Sequence, residues 1–103
     1  MRFVSNLFIC DKLEKKQKRT IWKIKHNVYM ADVYLIALAS NSENLLEVIH
    51  TVYLHQKSYP SKELVIVGLA KGYNEALELT KQIIDEVYTK TKGFDVATFF
   101  RNK

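Results

Sequence analysis

The sequence contains little of what cross-linked, loop-rich or membrane-spanning proteins require. Its 103 residues include one cysteine, one proline and three glycines. A single cysteine cannot form an internal disulfide, so a disulfide-stabilised fold is excluded. So few glycines and prolines argue against an architecture built from turns. No apolar run approaches the ~20 residues that a membrane-spanning helix needs, and we expect no membrane partner.

The apolar N-terminal stretch that follows Arg2 does not resemble a cleaved signal peptide. The bulky residues Phe8 and Ile9 stand directly before Cys10, where a cleavage site prefers small residues. We therefore expect a cytoplasmic protein in which Cys10 stays reduced and inert.

The composition is that of an ordinary globular protein, with 48% hydrophobic and 26% charged residues. The length predicts a single domain over residues 1–103. Within it we distinguish an N-terminal segment of residues 1–27 and a body of residues 28–103.

The positive charge is concentrated at the N-terminus. Residues 1–27 contain eight basic and two acidic residues, whereas residues 28–103 contain eight basic and nine acidic residues. This asymmetry points to an anionic partner, such as nucleic acid, an acidic protein or a lipid surface. The alternative is a solvated basic segment that serves solubility and discourages edge-to-edge strand pairing. The candidate binding residues are the seven cations Lys12, Lys15, Lys16, Lys18, Arg19, Lys23 and Lys25.

The N-terminal segment is predicted to be a β-hairpin with a long basic loop. Residues 3–10 and 20–26 both read as half-buried strands. In the second strand Trp22 and Ile24 share a face opposite lysines, which predicts that Trp22 points into the core. A short helix over residues 11–18 is the alternative, because Lys, Glu and Gln favour helices.

The body is predicted to contain three strands and two helices. The strands span residues 32–39, 63–69 and 94–100, and the helices span residues 41–56 and 72–91. The first two strands are apolar on both faces, as interior strands are. Ser40 and Glu43 form a capping-box pattern before the first helix, and Gly93 is the expected C-cap of the second.

The predicted fold class is α/β, with α+β as the alternative. The N-terminal β-hairpin is followed by a β-α-β-α-β unit, giving a mixed sheet of about five strands with two helices. The β-α-β-α-β strands are expected to be parallel, with right-handed crossovers.

The second helix has a wider apolar surface than one sheet face requires. Its apolar positions span roughly 180°, against about 100° for a helix that covers one sheet. Leu79 and Ile83 lie at the surplus edge, which predicts a homo-oligomer, most simply a twofold dimer. The alternative is that the two helices lie side by side on one face.

A second anion site is predicted where strands meet helices. Lys71 and Gly72 join a buried strand to a helix, and helix N-termini favour anions. Ser40 and Asn41 follow the neighbouring strand, which parallel strands would bring to the same sheet edge. The turn matches neither glycine-rich phosphate-binding motif.

No catalytic, metal or cofactor site is predicted. His50 and His55 are five residues apart and would flank opposite edges of a helix, and one cysteine cannot complete a structural zinc site. Ser40 lacks the glycines of a nucleophile elbow and is better explained as a cap. We therefore expect a non-enzymatic binding or accessory module, with a ligand-binding protein or enzyme that uses the two strand-to-helix turns as the alternative.

Overall fold

The computed structural model of the chain describes residues 1–39, 45–56 and 64–101. The strands are β1 (Arg2–Ile9), β2 (Val33–Leu38), β3 (Leu46–His50) and β4 (Val65–Lys71). The α-helices are α1 (Asp11–Glu14), α2 (Gln17–Lys25), α3 (Tyr73–Thr91) and α4 (Val96–Arg101), and a 3-10 helix spans Thr51–His55. The fold is mixed α+β, with four described strands in place of the five expected.

The four strands form one mixed sheet in the order β1-β4-β2-β3. β4 is parallel to β1 and antiparallel to β2, and β3 is antiparallel to β2. The predicted strands at residues 32–39 and 63–69 are therefore neighbours, but the parallel direction was wrong. Parallel neighbours need a long crossover connection. The chain instead leaves β2 and returns antiparallel to it as β3.

The helix α3 covers one face of the sheet. A Cβ added to Gly68 of β4 would lie 3.2 Å from Ile36 Cδ1 and 3.3 Å from side-chain atoms of Leu79 and Ile83. The sheet and the helix therefore meet closely at Gly68, where a side chain would intrude. Leu79 and Ile83 are buried in this contact within a single chain. These two residues therefore do not need a second copy of the chain to bury them, so they are not the predicted oligomer interface. Self-association itself stays a prediction.

The short helices α1 and α2 pack on the side of the sheet opposite α3. Leu35 and Leu69 are paired across β2 and β4, are fully buried, and alternate with the residues that face α3. Leu13 of α1 and Ile24 of α2 are buried in the same core, and α1 contacts β4. The sheet therefore lies between two helical layers.

The predicted N-terminal hairpin was wrong in its second half, because residues 20–26 belong almost entirely to α2. Thr20 and Ile24, four residues apart, are both buried, which is the spacing of a helix face. The period-2 pattern of Trp22 and Ile24 misled the strand interpretation. The alternative of a helix over residues 11–18 was partly right, since α1 begins at Asp11 but ends at Glu14.

The predicted first helix, residues 41–56, was also wrong where the structure describes it. Its second half forms β3 and the 3-10 helix. Val48, Ile49, Thr51 and Val52 are β-branched and favour extended backbone over a helix interior. The capping-box residues Ser40 and Glu43 lie outside the described residues.

The C-terminal segment, predicted as a strand over residues 94–100, forms helix α4 instead. Asp95 caps it: Oδ1 accepts from the backbone N–H of Thr98 at 3.1 Å, and Oδ2 accepts from the Thr98 hydroxyl at 2.7 Å. The predicted second helix is confirmed as α3. Its left-handed C-cap is Lys92, with φ of 61°, and not the expected Gly93.

The close approach of α3 to β4 at Gly68 can be tested by adding a side chain there. We expect Gly68→Val to lower the free energy of unfolding by about 1–3 kcal/mol, because the new methyl groups overpack the contact. Urea unfolding followed by circular dichroism measures the change.

Gly93→Ala is the control, because a Cβ at Gly93 meets nothing within 4 Å. It should change the stability by less than about 0.5 kcal/mol. A Gly68→Val protein as stable as the Gly93→Ala protein would contradict the packing of α3 on β4.

Candidate nucleic-acid interface

The seven predicted cations lie together on α1, on α2 and on the turn between the two helices. We call this set the basic surface; it consists of Lys12, Lys15, Lys16, Lys18, Arg19, Lys23 and Lys25. Lys23 is half-buried and the other six are exposed. These residues are therefore at or near the surface, and two helices carry them in place of the predicted hairpin loop.

The orientation of the basic surface follows from which side of α2 is buried. Thr20 is 5% exposed and Ile24 is 3% exposed. Trp22 lies two residues from each, about 200° around the helix, and so it is on the opposite side. Its exposed fraction is 56%, so the expectation that it points into the core was wrong.

Trp22 is held in place by His26, one helical turn further along. The two rings are stacked, with centroids 4.1 Å apart and planes 19° apart. The His26 ring is fixed in turn by a hydrogen bond of 2.8 Å from Nδ1 to the carbonyl oxygen of Trp22. We call Trp22 and His26 the aromatic platform. Sequence analysis missed it, although the i, i+4 spacing of two aromatic rings in a helix is a readable signal.

Basic side chains surround the aromatic platform. Lys18 and Arg19 precede Trp22 by four and three residues, so both share its helix face. Lys25 follows Trp22 by three residues, but its ammonium nitrogen lies 5.6 Å from the centroid of the Phe3 ring. Among the described residues, Lys18 and Arg19 make no such ring contact, and so they are the cations beside the platform that are open to a ligand.

An open concavity of about 540 Å³ lies at the turn between α1 and α2. Its lining is polar and mostly basic: Glu14, Lys15, Lys16, Gln17, Lys18 and Arg19. Lys18 and Arg19 belong both to this concavity and to the face of the aromatic platform. The two features therefore form one continuous surface.

The basic surface lies in a segment with a large excess of positive charge, since residues 11–25 contain its seven cations and two acidic residues, Asp11 and Glu14. Across the described ranges, none of its seven cations lies within 4.0 Å of a described acidic group. The ion pairs found there are Lys71–Asp32 at 3.9 Å and Lys90–Glu86 at 4.0 Å. A cluster of cations without close acidic partners generally creates a positive potential at the surface.

The second predicted anion site is not assembled as proposed. Val33, at the start of β2, pairs with Lys71, at the end of β4. These neighbouring strands run in opposite directions, so their C-terminal ends point to opposite ends of the sheet. The Lys71 ammonium contacts Asp32, and the backbone N–H of Gly72 donates to the carbonyl oxygen of Asp32 at 2.6 Å. Ser40 and Asn41 lie outside the described residues.

The reactive side chains that could suggest catalysis have structural partners. The buried Cys10 thiol accepts a hydrogen bond of 3.3 Å from the backbone N–H of Lys71. His50 donates from Nε2 to the carbonyl oxygen of Ala31 at 2.6 Å and accepts at Nδ1 from the N–H of Val52 at 3.0 Å. Among the residues whose placement is known, no three His, Cys, Asp or Glu side chains are grouped as metal ligands.

Comparison with known proteins gives no guide to function. No protein-family model, no curated protein and no solved structure matches the chain. In the described part of the chain, no helix has the length and apolar character needed to cross a membrane. The basic surface therefore has to be interpreted from its own geometry.

The orientation of α2 predicts that two alanine substitutions lower the free energy of unfolding by very different amounts. Ile24→Ala should lower the free energy of unfolding by about 2–5 kcal/mol, because it removes a buried side chain. Trp22→Ala removes a larger but exposed side chain and should cost less than about 1 kcal/mol.

Chemical denaturation of both variants measures the difference, and iodide quenching of the wild-type fluorescence should show an accessible indole. A hairpin with Trp22 in the core would make Trp22→Ala at least as damaging as Ile24→Ala, with an indole protected from iodide.

Proposed function

We propose that this protein is a non-enzymatic accessory module that binds nucleic acid through its basic surface. The observation that carries the proposal is the coincidence, on one face of α2, of an exposed and stacked tryptophan with cations that have no ion pair to a described acidic group. Phosphates pair with the lysine and arginine side chains, and release of their counterions drives association.

Nucleic acid fits this surface better than an acidic protein does. An acidic protein would pair with the cations and would meet the exposed indole as an apolar contact, as interface tryptophans do. A nucleic acid offers both an anionic backbone and flat aromatic bases, and these match the two chemical components of the surface. A cytoplasmic location belongs to the same proposal, since nucleic acid is found there and a lone cysteine stays reduced there.

The proposal predicts binding that is strong at low salt and steeply salt-dependent. With about five phosphates contacted, the logarithm of the binding constant should fall against the logarithm of salt concentration with a slope of about −3 to −5. Affinity should then drop roughly 60- to 1,000-fold between about 50 and 200 mM salt. Anisotropy of a labelled mixed-sequence oligonucleotide, titrated with the full chain, gives both values.

Two matched charge variants test whether nucleic acid binds at the basic surface. Lys18→Gln should weaken binding and reduce the salt slope by about one unit, because it removes one phosphate contact. Lys81→Gln removes an exposed lysine from α3 and should change neither value. Equal effects of the two variants, or equal competition by polyglutamate of matched charge, would count against the proposal.

A further inference from the structure

The aromatic platform bears on which class of nucleic acid, single-stranded or duplex, the basic surface would bind. It has an indole that is more than half exposed, that is stacked on one side by His26, and that shares its helix face with Lys18 and Arg19. In a helix, the surface neighbours of Trp22 are the residues three and four positions away. Those four positions are occupied by Lys18, Arg19, Lys25 and His26. The indole therefore has three cations and one stacked ring as its nearest helix neighbours.

The stack prepares the indole for a ligand. Side-chain freedom that is lost on binding costs affinity, and a ring already held in place loses less of it. His26 is itself anchored to the backbone through the hydrogen bond from Nδ1 to Trp22 O. The platform is thus an aromatic stack, anchored to the backbone through His26 and set into the basic surface.

An aromatic side chain can stack only on a base whose face is free. Inside a duplex each base face is covered by its neighbours, whereas single strands, loops and bulges offer free faces. A helix that reads a duplex groove instead needs side chains that hydrogen-bond to base edges, typically Arg, Asn or Gln. The centre of this face is occupied by tryptophan, which favours stacking over groove reading.

We infer that the aromatic platform binds an unpaired nucleobase of single-stranded nucleic acid, while Lys18 and Arg19 hold the adjoining phosphates. This inference rests on the proposed function and adds the substrate class to it. RNA and DNA strands share the base face and the phosphate, so the stack itself does not distinguish them.

The chain contains one tryptophan, so its fluorescence reports directly on the platform. Full-length protein is titrated with oligouridylate, with oligothymidylate and with a duplex of similar length that is closed at each end by a polyethylene-glycol linker carrying no base. We expect both single strands to quench the tryptophan emission, and the duplex to leave it nearly unchanged. The measurement is made at low salt, where electrostatic binding is strongest.

Trp22→Ala should weaken single-strand binding about 5- to 150-fold, the range that corresponds to the loss of one stacked base. Trp22→Phe should retain most of the affinity, because an aromatic face remains. Binding of the duplex should be the same in all three proteins. Because Trp22 is exposed, circular dichroism should show that the variants fold.

Tyr88→Ala is the matched control. Tyr88 is exposed and stacked on Phe94, with ring centroids 5.0 Å apart, but it lies on α3 away from the basic surface. Its removal should alter neither single-strand nor duplex binding.

The outcomes separate this inference from the proposed function. Failure of every oligonucleotide to bind at low salt contradicts both. Equal binding of single strands and duplex, with unchanged fluorescence and with Trp22→Ala equivalent to the wild type, overturns the single-strand inference and leaves nucleic-acid binding in place.

Discussion

Three buried side chains, Leu13, Thr20 and Ile24, decide which way the basic helices face. Thr20 and Ile24 are four residues apart and project from one side of α2, and Leu13 is buried from the separate helix α1. Burial of this side in the core turns the opposite side, with Trp22 and the lysines, towards solvent. The orientation of the basic residues is therefore a consequence of how α1 and α2 are packed.

The sheet imposes the complementary constraint. β4 lies in the interior between β1 and β2, and its residues from Ile66 to Ala70 are buried. Such a strand needs apolar cover on both faces. The helix α3 provides one cover and the α1–α2 segment provides the other. The helices that present the basic surface are thus also required to complete the core, which ties the proposed binding face to the stability of the fold.

Sequence reasoning succeeded where a pattern was long or continuous. The buried strands β2 and β4 and the long helix α3 were predicted because runs of apolar residues and nineteen residues of helical periodicity leave few alternatives. It failed at residues 20–26, where alternation at Trp22 and Ile24 competed with the i, i+4 spacing of Thr20 and Ile24. Over seven residues both periods fit, and only tertiary packing distinguishes them. At residues 46–56, burial against β2 and β-branched side chains outweighed an apparent helical stripe.

Only part of the candidate site was predicted, because composition can be read from the sequence more easily than local backbone geometry. Clustered charge is visible in composition, so the basic residues were found without knowledge of their backbone. The platform of Trp22 and His26 depends on helix geometry and was lost with the wrong secondary structure. The pairing of Ser40 and Asn41 with Lys71 and Gly72 depended on strand direction, which no local pattern encodes.

The pairing of β1 with β4 also affects how fast the chain can fold. Arg2 pairs with Val65, so the first strand completes its hydrogen bonds with a segment that follows it by more than half the chain. Contacts between residues so far apart form slowly, because a large loop must close first. During synthesis the α1–α2 segment leaves the ribosome well before β4, the strand it packs against, has been made. The cationic helices therefore complete their docking only after residues 65–71 have been translated.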